Sequence, residues 1–140
     1  MTEVTSDVRA DLVSNGRIRV GINYGNAILA RKDATTGESL GVAIDLAREI
    51  GAQLGAPLDI VSFDSAGAMV DGATAGAWDI AFLGSEPARE RVIDFTAAYL
   101  EIEATYLVRA ASPLHDASEV DRTGITVSAP ARANYELYLA

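Results

Sequence analysis

The sequence contains no cysteine, which excludes disulfides, thiolate catalysis and cysteine-based zinc sites. Its one histidine, His115, lies in a polar stretch and is implied in no serine–histidine pairing, so it reads as a solvated loop residue. No run is long and apolar enough to cross a bilayer. Glycine-rich phosphate motifs are also missing, because Gly21, Gly25, Gly37 and Gly41 lack the spacing of a dinucleotide fingerprint. Asp64, Asp71 and Asp79 fall on a turn, a helix and a strand start, a scatter that argues against a metal cluster. No metal and no cofactor are therefore expected. Positive charge is scarce: 11 Lys and Arg stand against 20 Asp and Glu, for a net charge of −9. That balance argues against nucleic acid or an anionic membrane surface as main partner. An anionic small molecule stays compatible with it, since salt screens the distant net charge while a local arginine acts at contact. The N-terminal stretch MTEVTSDVRADLVSNG has no apolar core, so no signal peptide is expected in the sequence as given.

What is present suffices for a domain with a real core: 140 residues, 49% of them hydrophobic. Residues 6–15 suggest a short amphipathic helix stopped by Gly16, and residues 17–23, RIRVGIN, alternate as a strand. Residues 24–38 read as a loop rich in Gly, Asn, Asp and Thr. The clearest helix is 41–54, GVAIDLAREIGAQL, with a stripe of Val42, Leu46, Ile50 and Leu54 widened by Ala43 and Ala47, and ended by Gly55. Asp45 in its first turn suits the helix dipole. Residues 58–63 form a second strand. Asp64 or Ser65 caps a helix to about Ala75, with Met69, Val70 and Ala73 inward. A third strand, 78–83, is apolar on both faces, with Trp78, Ile80 and Phe82 on one and Ala81 and Leu83 on the other, as for a central strand covered on each side. The β-α-β-α-β order favours parallel strands joined by right-handed crossovers. Residues 93–108 are long and extended, 109–123 read as a connector around Pro113, 124–128 as a strand, and 131–139 as a helix.

Chemistry concentrates in residues 78–99, WDIAFLGSEPARERVIDFTAAY. The strand ends at Gly84, and Ser85, Glu86 and Pro87 suit a helical first turn. In open α/β sheets, ligands sit outside the carboxyl ends of the strands, where Arg89 and Arg91 follow. A guanidinium there can pair with a carboxylate through two hydrogen bonds. At the end of the first strand, Asn23, Tyr24 and Asn26 offer hydrogen bonds and an aromatic face, in positions that turn chemistry alone also explains.

Several of these segments together resemble one family: RIRVGIN at 17–23, TGESLGVAIDLAREIGAQLG at 36–55, AGAWDIAFLGSEPARERVIDFTAAYL at 75–100 and ATYLV at 104–108. Gly41, Asp45, Leu46 and Ala47 match its helix motif, Asp79 its strand aspartate, and Arg89 stands before Phe95, Thr96 and Tyr99 of its F-T-x-x-Y run. The chain is similar to the type II periplasmic solute-binding proteins, in the group serving amino-acid ABC transporters. The resemblance implies an α/β fold: a three-layer α/β/α lobe with a mostly parallel sheet over 1–108, then a connector and the start of an incomplete second lobe over 109–140.

It further implies that Arg89 clamps the carboxylate of an amino-acid-like solute, that Gly84, Ser85 and Glu86 hold its amino group, and that Arg132 is an anion contact on the second lobe. Glu86 could pair with a ligand ammonium or with Arg89 itself. The hydroxyl residue usual before the arginine is replaced here, and Ala98 stands where a proline is usual. By resemblance the partner is an ABC-transporter permease and the location periplasmic or extracytoplasmic. The short second lobe implies a fragment, elements lent by another chain, or a homodimer or swapped oligomer. Beside the binding function stand two alternatives: an enzyme on the same scaffold, a dehydratase or lyase of small acids with Glu86 as its acid or base, and a truncated, non-binding lobe that self-associates.

Overall fold

The computed structural model describes residues 5–139, so the first residues of the N-terminal stretch read for a leader lie outside it. The chain divides into two compact units, Met1–Asp94 and Phe95–Ala140.

The first unit is built on one strand. β1 (Ile18–Asn23) is paired in parallel on both edges, with β4 (Leu58–Phe63) on one side and β5 (Ile80–Ala81) on the other, giving the order β4-β1-β5. The register sets Val20 beside Ile60 and Ile80, and Gly21 beside Val61 and Ala81. Parallel neighbours at one register level share a face, so the two faces can be traced by contact. Ile18, Val20 and Ile22, each no more than 1% exposed, join the core with Ala43, Ile44, Ala47 and Leu54 of α2 (Val42–Leu54). On the other face lies α3 (Ala66–Thr74): a Cβ at its Gly72 would stand 2.8 Å from Cζ of Phe63, and one at Gly21 would stand 3.2 Å from Ala81 Cβ and the Trp78 ring. The crossovers from β1 to β4 and from β4 over to β5 run in opposite senses across the sheet, which places right-handed connections on opposite faces. This is the expected helix–sheet–helix lobe of a type II periplasmic-binding-protein fold.

Local chemistry explains the elements. α2 begins at Gly41, whose φ of 124° and close approach to the Leu29 carbonyl suit only glycine, and ends at Gly55 in the left-handed region. Ser65 caps α3 by accepting from Ala68 N at 3.1 Å. α1 (Ser6–Leu12) is capped by Thr5 and stops earlier than the pattern suggests, because Asn15 and Gly16 take positive φ to make a turn back to Arg17.

Further expectations are corrected. The buried stripe of α2 is Ala43, Ile44, Ala47, Gly51 and Leu54, with Val42 turned outward, since Gly51 must lie against Leu58. In α3 the buried residues are Gly67, Met69 and Gly72, so only Met69 of the expected inward set is fully covered. The third strand shrinks to two residues. Trp78 leaves its line to donate from Nε1 to the Met69 carbonyl at 2.9 Å, on the face opposite Ile80. The supposed loop 24–38 carries the first arm and the turn of a hairpin, β2 (Arg31–Lys32) with β3 (Ser39–Leu40) just beyond it. Its turn is closed by Asp33, whose carboxylate accepts from Thr35 N at 2.9 Å and Thr36 N at 2.8 Å. These hydrogen bonds, Thr36 first, hold the Asp33 carboxyl below its usual range.

Beyond β5, residues 93–108 and 124–128 form no strand among those described, because a strand needs a hydrogen-bonded neighbour and none is described beside them. A 3-10 turn (Ala117–Glu119) carries a capping box between Asp116 and Glu119, and α4 (Asn134–Leu139) closes the second unit. Exposed His115 donates from its backbone N–H to Glu119 Oε2 at 2.7 Å.

The strongest polar tie in the first unit lies at the amino end of the sheet. The Asp79 carboxylate accepts from Arg19 N at 2.7 Å, from Arg19 Nε at 3.1 Å and from Ser14 Oγ at 3.1 Å, while its side chain is only 7% exposed. The Arg19 hydrogen bonds hold the Asp79 carboxyl below the usual carboxylate range, against the opposing effect of burial. A carboxyl whose folded pKa is depressed stabilises the fold above its unfolded pKa of about 4, and that contribution fades as pH falls through the folded value. Asp79→Asn is therefore expected to cost about 1–3 kcal/mol at pH 7, with the gap to the parent closing below about pH 4. Urea unfolding across the acid range checks this; a gap independent of pH would contradict it.

Candidate functional site

Parallel strands deliver their carboxyl ends to one edge of the sheet, and the turns after β1, β4 and β5 meet there. Asp79 and Arg19 lie at the opposite edge, which makes them structural.

After β1 the chain turns sharply. Asn23 Oδ1 accepts from Gly25 N at 2.9 Å, and Asn26 Oδ1 accepts from Ile28 N at 3.2 Å, so both carboxamide oxygens serve local turns. Tyr24 N donates to the Phe63 carbonyl at 2.9 Å and ties this turn to the end of β4. Gly25 passes so close to β4's end that a Cβ would stand 2.5 Å from the Asp64 carbonyl oxygen. The Tyr24 hydroxyl meets Ser39 Oγ at 2.5 Å, and Lys32 Nζ lies 5.1 Å from the centre of the Tyr24 ring. Lys32 and Ser39 escaped sequence reasoning because the hairpin did; the signal was Asp33 and Gly37 bracketing a short polar turn.

After β5 the chain reaches Gly84, Ser85 and Glu86 and then makes one turn. Arg89 N and Glu90 N donate to the Glu86 carbonyl at 2.8 and 3.1 Å, and Ile93 N to the Arg89 carbonyl at 3.0 Å. The turn folds the Arg89 side chain back, so that Nη1 donates to the Gly84 carbonyl at 2.8 Å. Arg89 is 3% exposed and is the one buried charged residue among those described. A guanidinium withdrawn this far from water needs hydrogen-bond partners, and among the described residues no buried side-chain N or O lacks one. Exposed Arg91, two residues on, is solvated by comparison. Ser85 Oγ meets Glu90 Oε1 at 2.5 Å, and Glu86 is half-buried.

Asn23, Tyr24, Asn26, Gly84, Ser85, Glu86 and Arg89 thus stand on the turns that follow two adjacent strands of the first unit. Arg132 belongs to the second unit. It is exposed, has a φ of 59°, and donates from its backbone N–H to the Glu136 carboxylate. A shallow depression of that unit is lined by Val108, Arg109, Ala111 and Ser112, none of them selected from the sequence.

This geometry defines a class: an open parallel α/β lobe whose carboxyl edge carries a buried arginine and an anchored aromatic ring. The chain belongs to the bacterial extracellular solute-binding proteins, family 3, whose profile matches residues 18–134. Among solved structures it is similar to an ancestral cationic amino acid solute binding protein, with a TM-score of 0.58 and 23% identity, over 66% of this chain and 40% of that one. It is also similar to an ancestral cyclohexadienyl dehydratase, with a TM-score of 0.60 and 23% identity, over 69% of this chain and 40% of that one. At such identity the likeness is one of fold, and the chain spans about 40% of the length of each structure. No match is found among curated proteins.

Because Arg89 serves the fold as well as the edge, Arg89→Ala is expected to lower stability by about 1.5–3 kcal/mol, the range for hydrogen bonds to charged groups. Arg91→Ala should stay within about 0.5 kcal/mol of the parent. Paired urea denaturation curves check the contrast; equal effects would contradict it.

Proposed function

We propose that the chain binds a small solute carrying a carboxylate, amino-acid-like in character, with the Arg89 guanidinium as its partner. The observation that carries this reading is the withdrawal of Arg89 from bulk water at the carboxyl edge of the sheet. A guanidinium has five N–H donors in a rigid fork. Nη1 on the Gly84 carbonyl fixes the orientation of that fork, and a planar carboxylate fits the same geometry bidentately. The residues at Gly84, Ser85 and Glu86 would receive a solute ammonium. Asn23, Tyr24 and Asn26 would form the wall beside it, and Arg132 is an anion contact on the turn that precedes α4.

In this reading the chain serves as a substrate-binding component of an ABC-type transporter, works outside the cytoplasm and docks on a permease. Family membership supports the solute-binding part of it. Calorimetry against a panel of amino acids tests it: one or more should bind, and Arg89→Lys, which keeps the charge and loses the fork, should weaken binding about 10–100-fold. Unchanged affinity in that variant would contradict the reading.

A second reading is an enzyme on this scaffold, favoured by the likeness to a structure named as a dehydratase. Glu86, half-buried beside the Arg89 turn, is its candidate acid or base. Loss of turnover in Glu86→Gln with binding kept would favour it.

We further propose that copies of the chain associate as a homodimer or swapped oligomer. Leu107 is 99% and Tyr138 86% exposed, and Ile125, Val127, Tyr135 and Leu137 are also open to solvent in the same unit. Burying such side chains between copies would supply a driving force for association. Sedimentation at micromolar concentration should show a dimer or larger species, and a strictly monomeric profile would contradict it.

A further inference from the structure

The central strand is entered through a tight turn made by Asn15 and Gly16. Both residues take positive φ, 52° and 77°, as a type I′ turn requires. Arg17 N closes the turn by donating to the Ser14 carbonyl at 3.1 Å. The two flanks of the turn reach opposite neighbours of β1. Ser14 Oγ donates to the Asp79 carboxylate at 3.1 Å, just before β5. Arg17 Nη2 donates to the Leu58 carbonyl of β4 at 3.1 Å and pairs with Asp59 at 2.6 Å. A change of backbone length between Ser14 and Arg17 therefore acts on both sides of β1 at the amino end of the sheet.

The turn also carries a reactive pair. Of Asn15, Asn23, Asn26 and Asn134, Asn15 alone precedes glycine. Glycine has no Cβ to shield its own nitrogen, and a Cβ built at Gly16 would meet nothing within 4 Å. Both residues of the pair are exposed. Asn23 Oδ1 and Asn26 Oδ1 are held by Gly25 N and Ile28 N. Among the described residues, no hydrogen bond holds the Asn15 carboxamide or Gly16 N. The chemistry open to such a pair is ring closure. Hydroxide takes the Gly16 N–H proton, and the nitrogen attacks Asn15 Cγ. An N–Cγ bond forms, the Cγ–Nδ2 bond breaks, and Nδ2 leaves as ammonia with a proton from water. Water then opens the succinimide. Opening at Cγ gives aspartate. Opening at the Asn15 main-chain carbonyl gives isoaspartate, whose backbone runs through the former side chain and is longer by a methylene.

We propose that Asn15–Gly16 is a site of spontaneous deamidation, and that its isoaspartate product unfastens the Ser14–Asp79 contact at the amino end of the sheet. The test is incubation of the full chain in mildly alkaline buffer, followed by peptide mass spectrometry and urea unfolding. The peptide holding Asn15 should be the first to exchange NH for O, with isoaspartate exceeding aspartate, while those holding Asn23, Asn26 and Asn134 lag behind. The aged isoaspartate fraction should unfold at lower urea than fresh protein. Asn15→Asp keeps the backbone length and tolerates positive φ as asparagine does, so it should unfold close to the parent. Ageing should shift the midpoint of Asp79→Asn less than that of the parent, because the two changes act on one contact and their effects do not add. Conversion of another asparagine before Asn15 overturns the assignment of the site. Conversion at Asn15 with an unchanged urea midpoint, or with equal shifts in the parent and Asp79→Asn, overturns its effect on the sheet.

Discussion

One strand constrains the described architecture of the first unit: β1 is paired on both edges and covered on both faces. Three consequences follow from that crowding. Its odd and even positions must differ, so Ile18, Val20 and Ile22 fill the α2 face while Gly21 makes room for Ala81 and the Trp78 ring. Its amino end must be locked in register, which the Asp79 carboxylate does through Arg19 and Ser14. Its carboxyl end must turn away at once, and Asn23, Tyr24 and Gly25 turn there against the end of β4. Buried packing and the hydrogen-bonded carboxylate thus occupy one end and the middle of the sheet. Turns rich in polar side chains occupy the other.

That division of labour explains how a lobe with few basic residues can present a charged site. The net charge of −9 is spread over the surface, where salt screens it. Arg89 is buried, so its field acts at short range in a poorly screened setting. Its turn is short and closed by backbone hydrogen bonds to the Glu86 and Arg89 carbonyls, and the Gly84 carbonyl fixes the orientation of the side chain. Preorganisation of this sort lowers the ordering cost of binding. The Tyr24 ring is similarly settled in advance by Ser39 and Lys32.

Much of the first unit was legible in the sequence because its signals are local. The strand over 18–23 and the one over 58–63 have clear apolar patterns, and α2 is bracketed by Gly41 and Gly55. The position of Arg89 after the third strand was legible too; its burial was not, since it depends on a backbone turn that folds the side chain onto the Gly84 carbonyl. What failed was of longer range. The rotation of the α2 stripe depends on Gly51 meeting Leu58, and the shortening of β5 on Trp78 reaching the Met69 carbonyl. The β2–β3 hairpin was hidden because its strands are two residues each, too short for any period to show. Residues 93–108 and 124–128 have strand-like patterns, but pattern gives a propensity and pairing gives a strand.

As proposed, the Arg89 guanidinium receives a solute carboxylate at the carboxyl edge of the sheet. The most direct measurement is nuclear magnetic resonance of arginine side-chain N–H groups during titration with L-glutamate. The Arg89 resonances should shift saturably, and the backbone amides of Tyr24 and Gly84–Glu86 should shift with them. Saturable shifts confined to residues around Val108–Ser112, with the Arg89 side chain unmoved, would contradict it.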